Sequence, residues 1–211
     1  MVKIKVCGIT NYADAKAAVE AGADSLGFSF YEKSPRYIDP EDARAIIRQL
    51  KSASTIAVGV FVNVSDPAKL LQVAQRAGVA WIQLHGEESP VYCRQLSPYP
   101  VIKALRVGSD FSTDTVKPFS AHAILLDAFS TASRGGSGER FDWRIARNIR
   151  EHTAAMLYLA GGLTPANVLS AVEFVRPYAV DVCSGVESEP GIKDHTLLRR
   201  FIKEARRSTS A

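Results

Sequence analysis

Three apolar runs in this chain end at side chains that could do chemistry. Cys7 ends the first run, Asp127 follows Leu125-Leu126 at the end of the second, and Ser184-Gly185 comes directly after the third. A thiolate can remove a proton, a carboxylic acid can donate one, and glycine-rich turns expose backbone N–H groups that bind phosphate. Gathered in one place, these groups could move protons on a phosphorylated substrate.

Both proton carriers would need help from their surroundings. A thiol with a pKa of ~8.5 is only a few per cent ionised at pH 7, so a nearby positive charge would favour Cys7 as a base. A carboxyl group with a pKa of ~3.9 is protonated in roughly one molecule in a thousand. Either the pKa of Asp127 is raised, or the substrate takes the proton in a pre-equilibrium. The alternatives are a buried structural thiol at Cys7 and a loop-capping carboxylate at Asp127.

Other polar groups also follow apolar runs. Gly161-Gly162 follows the apolar run that ends at Ala160, and Ser184-Gly185 follows the run that ends at Cys183. These are the places where barrel enzymes commonly bind phosphate, although both pairs could be ordinary tight turns. Arg36, in the loop after the apolar run Ser25–Phe30, could bind a substrate carboxylate through two N–H groups or lie in solvent. His85 follows the fourth run.

Strand-like and helix-like patterns alternate along the whole chain. The runs that predict strands are Val2–Cys7, Ser25–Phe30, Ile56–Val62, Val79–Leu84, Val101–Leu105, Ala123–Leu126, Met156–Ala160 and Ala179–Cys183. Helices are predicted at Tyr12–Ala21, Pro40–Leu50, from Ser65-Asp66-Pro67 to Gly78, Ser89–Leu96, once within Val107–Ser120, Asp142–Arg150, from Thr164-Pro165 to Val175, and Asp194–Arg207.

Eight strand–helix units predict a parallel sheet. They close most naturally into a (β/α)8 TIM barrel that forms a single domain over residues 1–211. The alternative is a doubly wound open sheet, but Cys7-Gly8-Ile9-Thr10 lacks its dinucleotide-binding G-x-G-x-x-G pattern. In a barrel, the chemistry lies at the C-terminal ends of the strands, where the unusual residues occur in this sequence.

The composition narrows the class of protein. The chain has 211 residues, 46% of them hydrophobic, with a formal net charge of +4, which is ordinary for a globular domain. Its basic residues do not cluster with aromatic ones, so we expect no nucleic-acid partner. No apolar run approaches the ~20 residues that cross a bilayer. The four histidines are scattered, so no metal site is expected.

The cysteines and the N-terminus indicate the compartment of the protein, and one glycine-rich segment predicts a loop. Cysteines are few and odd in number, with no CxxC pair, which favours a reducing compartment. The N-terminus has no leader pattern, so we expect a cytoplasmic protein. Gly135-Gly136-Ser137-Gly138 predicts either a slack linker or a mobile lid.

Taken together, the motifs resemble the phosphoribosylanthranilate isomerase family of tryptophan biosynthesis over nearly the whole chain. The order and number of the matching segments make the resemblance specific. They are Lys5–Thr10, Gly22–Asp24, Leu26–Phe28, Lys33–Tyr37, Val58–Phe61, Gln83–Gly86, Leu126–Ala128, Gly135–Gly138, Phe141–Trp143, Leu159–Leu163, Ser184–Glu187 and Lys193-Asp194.

The resemblance implies an Amadori rearrangement without a cofactor or metal. N-(5-phosphoribosyl)anthranilate would become 1-(o-carboxyphenylamino)-1-deoxyribulose 5-phosphate. By the family pattern, Asp127 is the general acid, Cys7 is the general base, and Arg36 binds the anthranilate carboxylate. The phosphate-binding residues would be Gly161, Gly162, Ser184 and Gly185. Asp181 also falls on a family position, and His85 is a possible supporting residue.

Several alternatives stay open. An epimerase barrel would need metal ligands, and an indole-forming barrel would need a lysine acid at a strand end, for which Lys103 is the candidate. A silent binding protein would keep the glycines but would not use Cys7 with Asp127. We expect a monomer or a homodimer. Because strand 8 pairs with strand 1 in a barrel, Cys7 and Cys183 could form a disulfide.

Overall fold

The structure is a computed structural model, and it describes residues 1–50, 54–108, 111–128 and 142–207. The Gly135–Gly138 segment, for which we considered a linker or a lid, lies outside these described residues. No helix in the described ranges is long and apolar enough to cross a membrane.

Eight parallel strands form a closed barrel in which each strand pairs with the next and β8 pairs with β1. The predicted (β/α)8 barrel is therefore confirmed, and the open-sheet alternative is wrong. The strands are β1 Lys3–Cys7, β2 Ser25–Ser29, β3 Ile56–Phe61, β4 Trp81–Leu84, β5 Val101–Val107, β6 Ala123–Ala128, β7 Met156–Leu159 and β8 Ala179–Val182.

One helix follows each strand. The helices are α1 Tyr12–Ala21, α2 Pro40–Leu50, α3 Pro67–Ala77, α4 Pro90–Arg94, α5 Thr113–Val116, α6 Trp143–His152, α7 Val168–Val175 and α8 His195–Arg207. Side chains cap several of the helix starts; Asp66, for example, accepts a hydrogen bond from the Ala68 N–H group at the start of α3.

The period-two alternation of the strands separates two apolar layers. Outward-facing residues such as Ile4, Val6 and Leu126 pack beneath the helices. Inward-facing residues such as Leu125 and Tyr158 fill the barrel interior. The same alternation turns the side chain at the C-terminal end of several strands inward, toward the barrel mouth.

Strand ends differ from the predictions at functional positions. The predicted fifth strand stops at Leu105, but β5 continues through Arg106 and ends at Val107. β6 likewise continues past Leu126 and includes Asp127. The strands continue because Arg106 and Asp127 are paired with each other in the β5–β6 register. A charged residue interrupts the apolar pattern of the sequence, but its backbone can still pair with the neighbouring strand.

The sequence reading also missed a short hairpin between β8 and α8. A 3-10 turn at Ser184–Val186 leads into β9 Glu187–Glu189, which pairs antiparallel with β10 Ile192–Lys193. The hairpin is tied to the first loop of the chain, because the Thr10 hydroxyl donates to the Gly191 carbonyl at 2.6 Å.

Candidate active site

A cavity of about 310 Å³ opens at the C-terminal mouth of the barrel. Every site residue expected from the sequence lines it: Cys7, Arg36, His85, Asp127, Gly161, Gly162, Asp181, Ser184 and Gly185. The cavity also takes in residues that the sequence reading did not single out as binding groups, namely Gly8, Ser29, Tyr31, Ser34, Val60, Val62, Ala160, Leu163 and Cys183.

Cys7 lies at the end of β1 with its side chain toward the cavity, and it is half-buried. Its thiol interacts with that of Cys183. A hydrogen bond from Cys183, and then the positive charge of Lys5, hold the pKa of Cys7 well below its usual range, although burial opposes them. The same hydrogen bond, together with burial, raises the pKa of Cys183. Of the two thiols, Cys7 is therefore the one that loses its proton more readily.

A buried ion pair lies beneath Cys7. Lys5 Nζ is 2.9 Å from Asp181 Oδ1, and the Lys5 side chain is fully buried. Burial opposes the charge on Lys5, yet the Asp181 carboxylate and the Cys7 sulfur keep the pKa of Lys5 above its ordinary value. Burial raises the pKa of Asp181 to about 7, against the pull of Lys5.

Asp127 lies on a different part of the barrel wall and is more open to solvent. Its Oδ2 atom is 3.2 Å from His85 Nε2, and 30% of its side chain is exposed. Gln83 Nε2 lies 3.0 Å from His85 Nδ1. Because the Gln83 amide donates to Nδ1, a neutral His85 ring carries its proton on Nε2 and donates it to Asp127. His85 therefore orients the carboxylate.

Arg36 is held by the hairpin that the sequence reading missed. Its Nε atom is 2.9 Å from Glu187 Oε1 and its Nη2 atom is 2.7 Å from Glu187 Oε2. Lys193 Nζ also lies 2.7 Å from Glu187 Oε1. Burial opposes the charge on Glu187, but hydrogen bonds from Arg36 and Lys193 keep its pKa below the ordinary value. The pair fixes the guanidinium plane and leaves Nη1 for another ligand.

The loops after β7 and β8 place backbone groups along the same cavity. Gly161 and Gly162 both have positive φ, at 79° and 66°, a conformation that glycine adopts at little cost. Asn167 fixes this loop by donating to the Gly162 carbonyl at 2.9 Å. A Cβ at Gly185 would overlap the Leu163 carbonyl oxygen, so glycine is required for the two loops to meet.

Lys103 does not reach this cavity. It lies between two inward-facing residues of β5 and so points toward the helices; its Nζ atom is 2.7 Å from Glu88 Oε2 and 2.6 Å from the Gly86 carbonyl oxygen. It lines a separate pocket outside the barrel mouth. The position of Lys103 therefore argues against the indole-forming alternative.

Two elements of the site could be found in the sequence only in part. Glu187 and Lys193 belong to segments that carry the family resemblance, but no pattern assigned them a role. Lys5 alternates with apolar residues in β1, and nothing local distinguishes it from a solvent-facing lysine.

Within the part of the chain that the structure describes, no group of His, Cys, Asp and Glu side chains could hold a metal ion.

The closed parallel barrel and its polar mouth define a (β/α)8-barrel enzyme. Residues 4–204 match the family model described as N-(5'phosphoribosyl)anthranilate (PRA) isomerase. The chain belongs to this family. The N-(5'-phosphoribosyl)anthranilate isomerase of Geobacter sp. strain M21 is 50% identical over 207 residues, which cover 98% of this chain and 99% of the relative.

Solved structures agree. The phosphoribosyl anthranilate isomerase of Thermotoga maritima is 46% identical, with a TM-score of 0.87 and coverage of 98% of this chain and 99% of that one. A phosphoribosyl anthranilate isomerase in complex with reduced 1-(o-carboxyphenylamino)-1-deoxyribulose 5-phosphate has a TM-score of 0.84 at 44% identity, covering 98% and 99% of the two chains. This chain is therefore an isomerase that acts on N-(5'-phosphoribosyl)anthranilate in tryptophan biosynthesis.

Proposed function

We propose that the reaction is an Amadori rearrangement in which Asp127 is the general acid and Cys7 is the general base. The observation that carries this proposal is that both side chains line one cavity, although they come from β6 and β1. A single bound pentose could contact both groups. A related isomerase binds a reduced form of the product, which supports a sugar phosphate as the ligand.

The chemistry begins at the ribose ring. Asp127 donates a proton to the ring oxygen, the bond between that oxygen and C1 breaks, and the nitrogen lone pair forms a Schiff base with C1. The Cys7 thiolate then removes the C2 proton, and the electrons of the C–H bond form the C1–C2 double bond of an enolamine. Loss of the O2 proton and protonation of C1 give the ketone. Atoms and electrons balance within the substrate, so one acid and one base suffice.

The two ends of the substrate have separate binding groups. We propose that Arg36 binds the anthranilate carboxylate through N–H groups that Glu187 leaves free, because a guanidinium matches the planar geometry of a carboxylate. The 5-phosphate would lie against the backbone N–H groups of Gly161, Gly162, Ser184 and Gly185. With both ends held, C2 faces Cys7 and the ring oxygen faces Asp127. His85 supports the acid, and Asp181 pairs with Lys5 beneath the base.

Substrate turnover by variants tests these roles. Purified protein should abolish the anthranilate-type fluorescence of the phosphoribosylated amine, and Cys7→Ala and Asp127→Asn should each lower kcat by roughly 10²- to 10⁴-fold. The reduced product analogue should still bind to both variants. The exposed Asp114→Asn and the remote Cys93→Ala variants serve as matched controls. Unchanged turnover in either active-site variant would refute the role assigned to it.

Three coarser properties complete the proposal. The barrel is proposed to be a single catalytic domain that works in the cytoplasm, which its three free cysteines favour. The chain is proposed to be a monomer or a homodimer, since the Thermotoga maritima enzyme is described as dimeric. Light scattering after size-exclusion chromatography would distinguish the two, and a larger assembly would contradict both.

A further inference from the structure

Lys5 is a buried charge close to the reacting groups, and the mechanism above does not use it. Its side chain is fully buried, and Lys5 does not line the cavity. An ammonium in the interior of a barrel is costly unless something nearby requires its charge. The fold itself does not require this charge, because inward positions of other strands hold small apolar residues such as Ala104, Ala123 and Ala179.

Lys5 shares its face of β1 with Cys7, because residues two apart in a strand point the same way. Gly27, the partner of Cys7 on β2, leaves a small space between the two side chains. A Cβ at Gly27 would lie 2.7 Å from Cys7 Sγ and 3.1 Å from Lys5 Nζ. The sulfur and the ammonium therefore face the same space, with no side chain between them.

The other two cations near Cys7 are each paired with a carboxylate. Lys193 and Arg36 both bind Glu187, at 2.7 Å each. The carboxylate that pairs with Lys5 is that of Asp181, which is itself so deeply buried that its pKa is raised to about 7. Near neutral pH, Asp181 is thus only partly ionised and leaves much of the Lys5 charge for the thiolate.

We propose that Lys5 is the positioning residue that keeps Cys7 ionised, and that Asp181 competes with Cys7 for the Lys5 charge. This inference rests on the proposed role of Cys7 as the base. It predicts changes of opposite sign: loss of the ammonium makes the thiolate harder to form, and loss of the carboxylate makes it easier. The charged and titratable groups that face Cys7 are Lys5, Asp181, Cys183, Lys193 and Arg36.

The rate at which iodoacetamide alkylates Cys7, followed against pH by mass spectrometry of its peptide, reports ionisation of the thiol without substrate. In Lys5→Met, which keeps the length of the side chain, the midpoint should rise by roughly 1 to 3 in pH. In Asp181→Asn it should fall. Lys3→Met, on the same strand but 51% exposed, is the matched control and should leave the midpoint unchanged.

Turnover provides the second measurement. At pH 7, kcat/KM of Lys5→Met should fall at least about tenfold, and raising the pH to 9 should restore most of it. A merely structural role would not give recovery at high pH. An unmoved alkylation midpoint in folded Lys5→Met overturns the inference. If that variant does not fold, a midpoint of Asp181→Asn that stays or rises overturns it instead. A shifted midpoint without a matching shift in kcat/KM would support the role of Lys5 and refute Cys7 as the base.

Discussion

The two proton-transfer groups lie in contrasting surroundings. On the base side, which we define as Cys7 with Lys5, Asp181, Glu187 and Lys193, the four charged side chains are each at most 7% exposed. On the acid side, defined as Asp127 with His85 and Gln83, the Asp127 and His85 side chains are 30% and 27% exposed.

The difference reflects what each group must do. A thiol has to be ionised against its ordinary pKa, which requires fixed charges in a medium of low dielectric constant. A carboxyl group that gains and loses a proton in each cycle benefits from a route to water. Charge on the base side is therefore part of the fold, whereas the acid side can be changed with little effect on stability.

Oxidation should inactivate the base side and leave the acid side unchanged. Of the predictions made here, it has the largest expected effect on activity. Peroxide converts the Cys7 thiolate to a sulfenic acid, and the Cys183 sulfur then displaces hydroxide to form a disulfide, so that two electrons pass to peroxide and water is released. Because Val6 and Val182 are partners in the β1–β8 register, we expect the next residues, Cys7 and Cys183, to be close enough for a disulfide, which needs ~4.4–6.8 Å between Cα atoms. We expect complete loss of activity that dithiothreitol reverses.

The control for oxidation is Cys183→Ala, in which the sulfenic acid has no resolving thiol and proceeds to an irreversible sulfinic acid. Intact mass should show the loss of two hydrogens in the wild type and the gain of oxygen in the variant. Equal inactivation and equal recovery in the two proteins would rule out the bridge.

Glu187→Gln should lower stability more than any single change on the acid side. It leaves Lys193, whose side chain is fully buried, without its carboxylate, and breaking a buried ion pair costs about 3–5 kcal/mol. Urea unfolding measures the change in the free energy of unfolding. The exposed Glu189→Gln, on the same hairpin, and Asp127→Asn should each stay within about 0.5 kcal/mol of the wild type; a similar loss in all three would remove the contrast.

His85→Asn sharpens the comparison from the acid side. Without the ring that holds Asp127 Oδ2, we expect kcat to fall about tenfold, which corresponds to about 1.4 kcal/mol in the barrier. Steady-state kinetics should show little change in KM, and the melting temperature should stay close to that of the wild type. His152→Asn, on the exposed end of α6, is the matched control. A stability loss equal to that of Glu187→Gln would contradict the assignment.

The pH profile gives the smallest expected effect. Because the pKa of Cys7 is held well below its usual range, we expect the base to be ionised already at pH 7 and to lose its contribution only as the pH falls through that lowered pKa. Between pH 7 and pH 9, kcat/KM should change less than about twofold. A thiol at the ordinary pKa of ~8.5 would instead give a rise of roughly 20-fold over this range, and such a rise would contradict the proposed thiolate.

The sequence predicted the parts of the site that follow from local pattern. Cys7, Asp127 and Gly161-Gly162 follow or end strongly apolar segments, and the parallel barrel then brings them to one mouth. The element order and most helix bounds follow in the same way from apolar periodicity and from N-capping residues such as Asp66.

The interactions that the sequence could not give depend on closure of the barrel. Lys3 and Lys5 have the same period and the same chemistry, yet one is 51% exposed and the other is fully buried. Only the approach of β8, which supplies Asp181 from 176 residues away, separates them. The β9–β10 hairpin could not be predicted because its strands are three and two residues long. Such short segments do not show a recognisable alternation of apolar and polar residues.

The pairing of the first strand with the last has a consequence for synthesis of the protein. A ribosome makes Cys7 almost at once, but Asp181, Cys183 and the hairpin that carries Glu187 emerge only after seven-eighths of the barrel has been translated. Until then, β1 lacks β8, one of its two neighbours in the barrel, and Cys7 lacks the hydrogen bond from Cys183. The last strand therefore completes both the core and the surroundings of Cys7, and we expect partly made chains to lack activity.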